Sequence, residues 1–182
     1  MDYCTFAHSL PDDGSNPNKH YHDHLYGFPI ADDNELFGRL LLEINQAGLS
    51  WTLILQRAEG IRAAYAGFDI AAVAAFGQAE RERLLADPRV IRNRRKIDAA
   101  IHNARQILRL QQESGSFKSW LDSHHPQDLP AWVKLFRQTF QFTGPEIVCE
   151  FLVSTGYLKG AHRDDCPVAA QAAAANPPWQ RG

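Results

Sequence analysis

Glu43 is the residue of this chain best placed to do chemistry. It follows Leu36 and Leu40 by seven and three positions, on the flank of an apolar stripe of Leu36, Phe37, Leu40, Leu41 and Ile44. That spacing predicts a helix over about 34–47. A carboxylate there needs a partner. Just beyond it, Gly48, Leu49, Ser50 and Trp51 break the helix and set an apolar tip and a large aromatic close to the acid. An acid, a wedge and a ring suit a pocket for a flat, polar ligand. The alternative is a half-exposed Glu43, or one bonded to a nearby arginine.

A second group lies at the two ends of the chain. His162 and Cys166 are separated by three residues in a turn, so an imidazole and a thiolate can reach one ion. Cys4 and His22 in the N-terminal arm would complete a tetrahedral set with no open position, and His20 and His24 compete with His22 for that place. Such a centre would be structural, tying the ends together and ordering an arm with little apolar content; the alternative is unrelated surface His and Cys residues. Cys4, Cys149 and Cys166 are an odd number spread across the chain, which suits thiols or metal ligands better than a disulfide framework.

The third feature is the segment from Phe140 to Glu146. Gly144 permits a tight connection and Pro145 opens the next helix, whose first backbone N–H groups are free to hold a phosphate; the alternative is an ordinary helix connection with Pro at the first turn. Upstream, Arg89, Arg92, Arg94, Arg95 and Lys96 put five cations within eight residues. These either neutralise further phosphates or lie along a solvated helix face.

Helices have to carry all of these groups, because no useful run of strand alternation occurs. Asp32 and Glu35 have capping-box spacing at the start of the first long helix. Ser50 caps a second helix to about 64, and Asp69 a short third one with Ala72, Val73 and Phe76. A short fourth covers about 80–85. Asp87 and Pro88 read as cap and first turn of a long amphipathic helix with Ile97, Ala100, Ile101, Ala104, Ile107 and Leu108, ending before Gly115. Shorter helices follow at about 116–121, 132–139 and 146–155, the last closed by Gly156. The fold class is all-α, with about eight to ten helices. Residues 1–30 read as an irregular arm, and the Ala-rich segment 169–182 as a disordered tail.

Composition bounds the partners. The 182 residues are 45% hydrophobic and 22% charged, with 19 Lys plus Arg against 21 Asp plus Glu, for a net charge of -2. Bulk charge therefore gives no support to nucleic-acid binding, and any such surface must be local. No apolar run approaches the roughly 20 residues of a membrane span, and the start, Met1 to Cys4, lacks the pattern of a secretory signal. A cytoplasmic protein is expected.

Together these residues resemble the 3-methyladenine DNA glycosylase I family, over nearly the whole chain from Cys4 to Cys166. The resemblance is carried by five blocks in order. They are Tyr21, His22 and Asp23 with Tyr26, Gly27, Phe28 and Pro29; Leu42 through Trp51; Ile91 to Arg94 with Lys96 and Ile97; Phe142, Thr143 and Gly144; and His162 with Cys166. It implies an all-α member of the helix-hairpin-helix glycosylase superfamily, with residues 1–168 as one domain of two helical lobes and the base pocket between them. It also implies one structural zinc on Cys4, His22, His162 and Cys166. Glu43 is then the acid that hydrogen-bonds the damaged base, Tyr21 and Trp51 stack on it, and Tyr26 lines the pocket. Leu49 fills the gap left by the extruded nucleotide, Gly48 lets the backbone approach, and Thr143 and Gly144 belong to the hairpin that grips the strand.

The implied partner is double-stranded DNA containing alkylated bases, bound by a monomer. With no lysine evident as a Schiff-base nucleophile, a monofunctional enzyme is expected. The competing reading is a zinc-pinned DNA-binding or damage-sensing module without turnover. The chain also departs from the family: its arm between Cys4 and His22 is longer, Asn18 stands where some members have a pocket aromatic, and Leu25 where they often carry an acid. Many helix-hairpin-helix glycosylases carry an Asp after the hairpin's second helix; the segment from Gly156 to His162 has none, as the resemblance to this family implies.

Overall fold

The computed structural model describes residues 2–181, and these form eleven α-helices and two 3-10 turns, with no strand among them. Most helices begin where a side chain satisfies an otherwise orphaned N–H. In α3 (Asp33–Gln46), Asp32 accepts from the Glu35 N–H at 3.0 Å. Glu35 does not reach back, as a capping box would have it; its carboxylate pairs with Arg62 at 2.7 Å. Ser50 caps α4 (Trp51–Ala64) and Asp69 caps α5 (Ile70–Ala74). In α6 (Gln78–Ala86), Glu80 accepts from the Gly77 N–H.

The long α7 (Arg94–Ser114) starts later than the sequence suggested. Its cap is Asn93, which accepts from the Lys96 N–H, while Asp87 instead turns its carboxylate onto Arg89. Beyond it lie α8 (Phe117–His124), α9 (Leu129–Thr139) and α10 (Pro145–Ser154). One continuous apolar core joins α3 to α7, α8, α9 and α10, with Phe37, Phe117, Trp132, Phe136 and Phe151 wholly inside.

Both ends differ from expectation. The arm is not irregular: it contains α1 (Tyr3–His8), capped by Asp2, and α2 (Pro17–His24), capped by Asn16 with Pro17 at its first position. Neither has an apolar stripe, because what they bury is Cys4, Ala7, Asn18, Tyr21 and His22. The segment expected to be a disordered tail supplies most of α11 (Pro167–Ala174) and a 3-10 turn, Pro178–Arg181. Alanine favours helix, and here Val168 and Ala172 are buried. The Trp179 N–H then bonds the Gly156 carbonyl at 3.0 Å, fixing the turn to the end of α10.

Candidate active site

Helices α1, α2, α3, α4 and α10 meet around a cavity of about 420 Å³, within the usual size of small-ligand sites. Tyr21, Tyr26, Glu43 and Trp51 all line it, as the sequence led us to expect, and Tyr3, Gln46, Glu146 and Glu150 complete the wall. No Lys, Arg or His is part of that lining.

Glu43 is 4% exposed and has no hydrogen-bond partner among the described residues. Burial pushes its pKa up to about 8, Arg39 one turn earlier opposes the shift, and the charge of Glu150 adds to it. With its pKa at about 8, the Glu43 carboxyl is mostly protonated at neutral pH. A bound cation would reverse this and restore the carboxylate.

Arg39 was not singled out in the sequence. It is 7% exposed, and Nη1 donates to the Tyr21 hydroxyl at 3.3 Å and to the Ser154 carbonyl at 3.2 Å. Its guanidinium also sits 4.9 Å from the Tyr21 ring centroid. The nearby arginine thus holds Tyr21, not Glu43. Replacing Arg39 by Met removes the one favourable charge while keeping most of the volume. NMR titration of the Glu43 carboxyl should show its midpoint rising by about 1 unit. An unchanged midpoint would mean that solvent screens the guanidinium.

The rings do not form parallel walls. Tyr21 and Trp51 meet at 5.0 Å between centroids with planes 62° apart, whereas a ring held between two others needs about 7 Å. They make a corner: a flat ligand stacks on one ring and meets the edge of the other. Tyr26 lies 5.6 Å from Tyr21, and its hydroxyl donates to Glu150 at 3.3 Å. Tyr3 crosses Tyr26 at 90° and anchors its hydroxyl on the Asn18 carbonyl. Tyr3 thus supplies a pocket aromatic where Asn18 lacks one. Its position beside Cys4 was the available signal, since a neighbour of a metal ligand goes where the ligand goes.

The loop after α3 is braced from below. Lys96 is buried, and Nζ donates to the Asn45 and Ala47 carbonyls, each at 2.7 Å. One of the five clustered cations is therefore a strut rather than a phosphate contact, and Arg89 is paired with Asp87. Gln46 bonds the Leu49 carbonyl at 2.8 Å. Gly48 takes φ 80°, open to glycine at little strain, and lies exposed beside a half-buried Leu49. The tip is less exposed than its apolar character suggested.

Between α9 and α10, Asn103 of α7 grips both the N–H and the carbonyl of Gln141, at 2.8 and 3.1 Å. Thr143 turns inward, its hydroxyl on the Phe136 and Phe140 carbonyls, so only its backbone is left to face a ligand. Gly144 begins α10 with no side-chain cap. Arg95 and Arg137 flank Gly144 in a shallow groove, giving uncapped N–H groups and two cations in one place.

On the other side of α2, the donor atoms of Cys4, His22, His162 and Cys166 lie within 4.8 Å of one another. Sulfur-to-nitrogen distances of 3.8 to 3.9 Å are a few tenths longer than the edge of a tetrahedral centre, about 3.5 Å. The far nitrogen of His22 meets Asp23 at 2.7 Å and that of His162 meets the Tyr26 carbonyl at 2.8 Å, as metal-bound imidazoles require. These four residues could hold a metal ion. His20 and His24 are exposed and stand outside the group, whereas His22 is buried within it.

The site is thus a ring-sized cavity whose ionisable walls are all acids or phenols, set in an all-helical frame, a class of site that suits a flat, polar ligand. Comparison with known proteins narrows the class. A family model described as methyladenine glycosylase matches residues 13–131, more than half of the chain. DNA-3-methyladenine glycosylase 1 of Escherichia coli is 35% identical over 157 residues, 76% of this chain and 84% of that protein. The Staphylococcus aureus 3-methyladenine DNA glycosylase I structure aligns with a TM-score of 0.80 at 32% identity, covering 92% of this chain and 96% of that one. A variant of 3-methyladenine DNA glycosylase I crystallised in complex with 3-methyladenine has a TM-score of 0.80 and 30% identity, over 92% and 97%. The chain belongs to the methyladenine glycosylase family and is a glycosylase.

Proposed function

We propose that the protein extrudes 3-methyladenine from alkylated double-stranded DNA and releases it by hydrolysis, without cutting the strand. The observation that carries this is a buried, unpartnered Glu43 in a cavity with no cation on its wall. Alkylation at N3 gives the adenine ring a positive charge, which Glu43 can meet by giving up its proton. Each charge-assisted contact of this kind is worth about 1.5 to 3 kcal/mol, and a neutral base gains none of it. Selection therefore rests on the pocket.

The chemistry left to the protein is modest. The bond from the sugar C1′ to the base breaks with its electron pair going to the base, which leaves neutral and needs no acid. Water then adds to C1′ and loses a proton to solvent. No Lys lines the cavity to form a Schiff base, and Lys96 is occupied by two carbonyls. Tyr21 and Trp51 hold the ring, Tyr26 and Tyr3 close the wall, and Leu49 beside Gly48 fills the stack behind it. The turn at Gly144 seats a phosphate as a helix-hairpin-helix does, reading no sequence.

One zinc ion fits the sulfur and nitrogen donors, with Cys4, His22, His162 and Cys166 as ligands and no position left for substrate. Its part is to fix the ends of the chain. Among the described residues no helix is long and apolar enough to cross a membrane, and we read the enzyme as a cytoplasmic monomer.

Incubation with methylated DNA followed by chromatography of released bases tests the proposal. Free 3-methyladenine and intact, alkali-sensitive strands are expected; binding without release would indicate the inactive module instead. Replacing Arg95 and Arg137 together by Ala should weaken binding to every sequence alike. It should also lower the slope of log affinity against log salt by about 2. An unaltered slope would remove the groove at Gly144 from the interface.

A further inference from the structure

His8 closes α1 and takes no part in the base cavity, yet its Nε2 lies 3.4 Å from the sulfur of Cys166. It stands outside the four residues whose donor atoms lie within 4.8 Å of one another, so it reaches one ligand from the outside and is not a fifth. Its ring packs edge-on against His22 with centroids 5.2 Å apart, which fixes its direction.

The four ligands are unequal without it. His22 has Asp23 behind it and His162 has the Tyr26 carbonyl. Cys166 starts α11 but makes no side-chain cap hydrogen bond there. His8 supplies what is missing. A thiolate that accepts an N–H donor is less basic and less nucleophilic, so it exchanges protons and meets electrophiles more slowly while it stays bound.

We propose that His8 donates its Nε2–H to the metal-bound Cys166 thiolate and is the residue that sets how slowly the ion leaves. This rests on the zinc reading above. The long arm between Cys4 and His22 has room for such a contact, because α1 must extend to its last residue for His8 to reach across.

The test compares purified metal-loaded wild type, His8→Ala and His8→Gln. Zinc transfer to an excess of a colorimetric chelator is timed, and iodoacetamide alkylation of Cys4 and Cys166 is mapped by mass spectrometry during the release. His8 is exposed, so both variants should fold. His8→Ala should release zinc about tenfold faster, with Cys166 alkylated ahead of Cys4, and His8→Gln, which keeps an N–H donor, should restore most of the retention. Equal release rates, or both thiols opening together, would overturn the role and reduce His8 to a packing contact of α1. A wild-type protein that carries no metal would overturn this proposal and the zinc reading together, and metal content measured beforehand tells the two failures apart.

Discussion

Glu43→Gln should lower excision of 3-methyladenine about 100-fold while leaving affinity for abasic DNA within about twofold. The magnitude follows from losing one charge-assisted contact of about 3 kcal/mol to a cationic ring. Gln keeps the shape of the wall and can still hydrogen-bond, so the cavity and the turn at Gly144 are untouched. Single-turnover release of base from methylated DNA measures the first quantity, and titration of a labelled abasic duplex measures the second. Full activity in the variant would take Glu43 out of the reaction.

The same substitution should stabilise the protein, and increasingly so with pH. The folded-state pKa of Glu43, about 8, lies above the ordinary value of 4.5. The folded protein therefore binds this proton more tightly than the unfolded chain does. Its contribution to stability is present in full below pH 4.5 and is lost as pH rises to 8. The loss is at most about 5 kcal/mol across that window. Gln has nothing to titrate, so the gap between variant and wild type should open between pH 5 and 8 in denaturant unfolding. Parallel pH profiles would mean that the carboxyl is already solvated in the folded state. A group that weakens the fold while it waits for a charged ligand is expected where binding, not stability, has set the residue.

How far the sequence disclosed this site depends on which force placed each part. Ser50, Asp69 and the stripe from Leu36 to Ile44 act within a few residues of one another, so their helices were legible. Helices α1 and α2 were not, because they bury metal-type ligands and a tyrosine instead of an apolar face. Lys96 looked like part of a basic run, and only the approach of α7 to the end of α3 reveals two carbonyls waiting for it. Thr143 looked available to a phosphate, yet its hydroxyl serves the end of α9. Tyr21, Tyr26, Glu43 and Trp51 were found through spacing and resemblance, whereas Tyr3, Gln46, Glu146 and Glu150 were not, and the corner between Tyr21 and Trp51 is a relation between two helices that no single stretch encodes.

Removing the metal should abolish base binding before it melts the helical core. Three walls of the cavity are attached to the proposed zinc centre: Tyr3 precedes Cys4, Tyr21 precedes His22, and the Tyr26 carbonyl accepts from His162. Arms α1 and α2 have little apolar surface of their own to hold them once the four ligands repel or protonate. The core around Phe37, Phe117 and Phe151 is separate and keeps its packing. Chelation, or Cys166→Ala, should therefore lower affinity for free 3-methyladenine at least tenfold at a temperature where far-ultraviolet dichroism is nearly unchanged. Added zinc should restore binding to the chelated protein but not to Cys166→Ala. Simultaneous loss of base binding and all helicity would mean that the centre supports the whole fold. A metal-free protein that binds the base with unchanged affinity would show that Tyr3, Tyr21 and Tyr26 are held by packing alone.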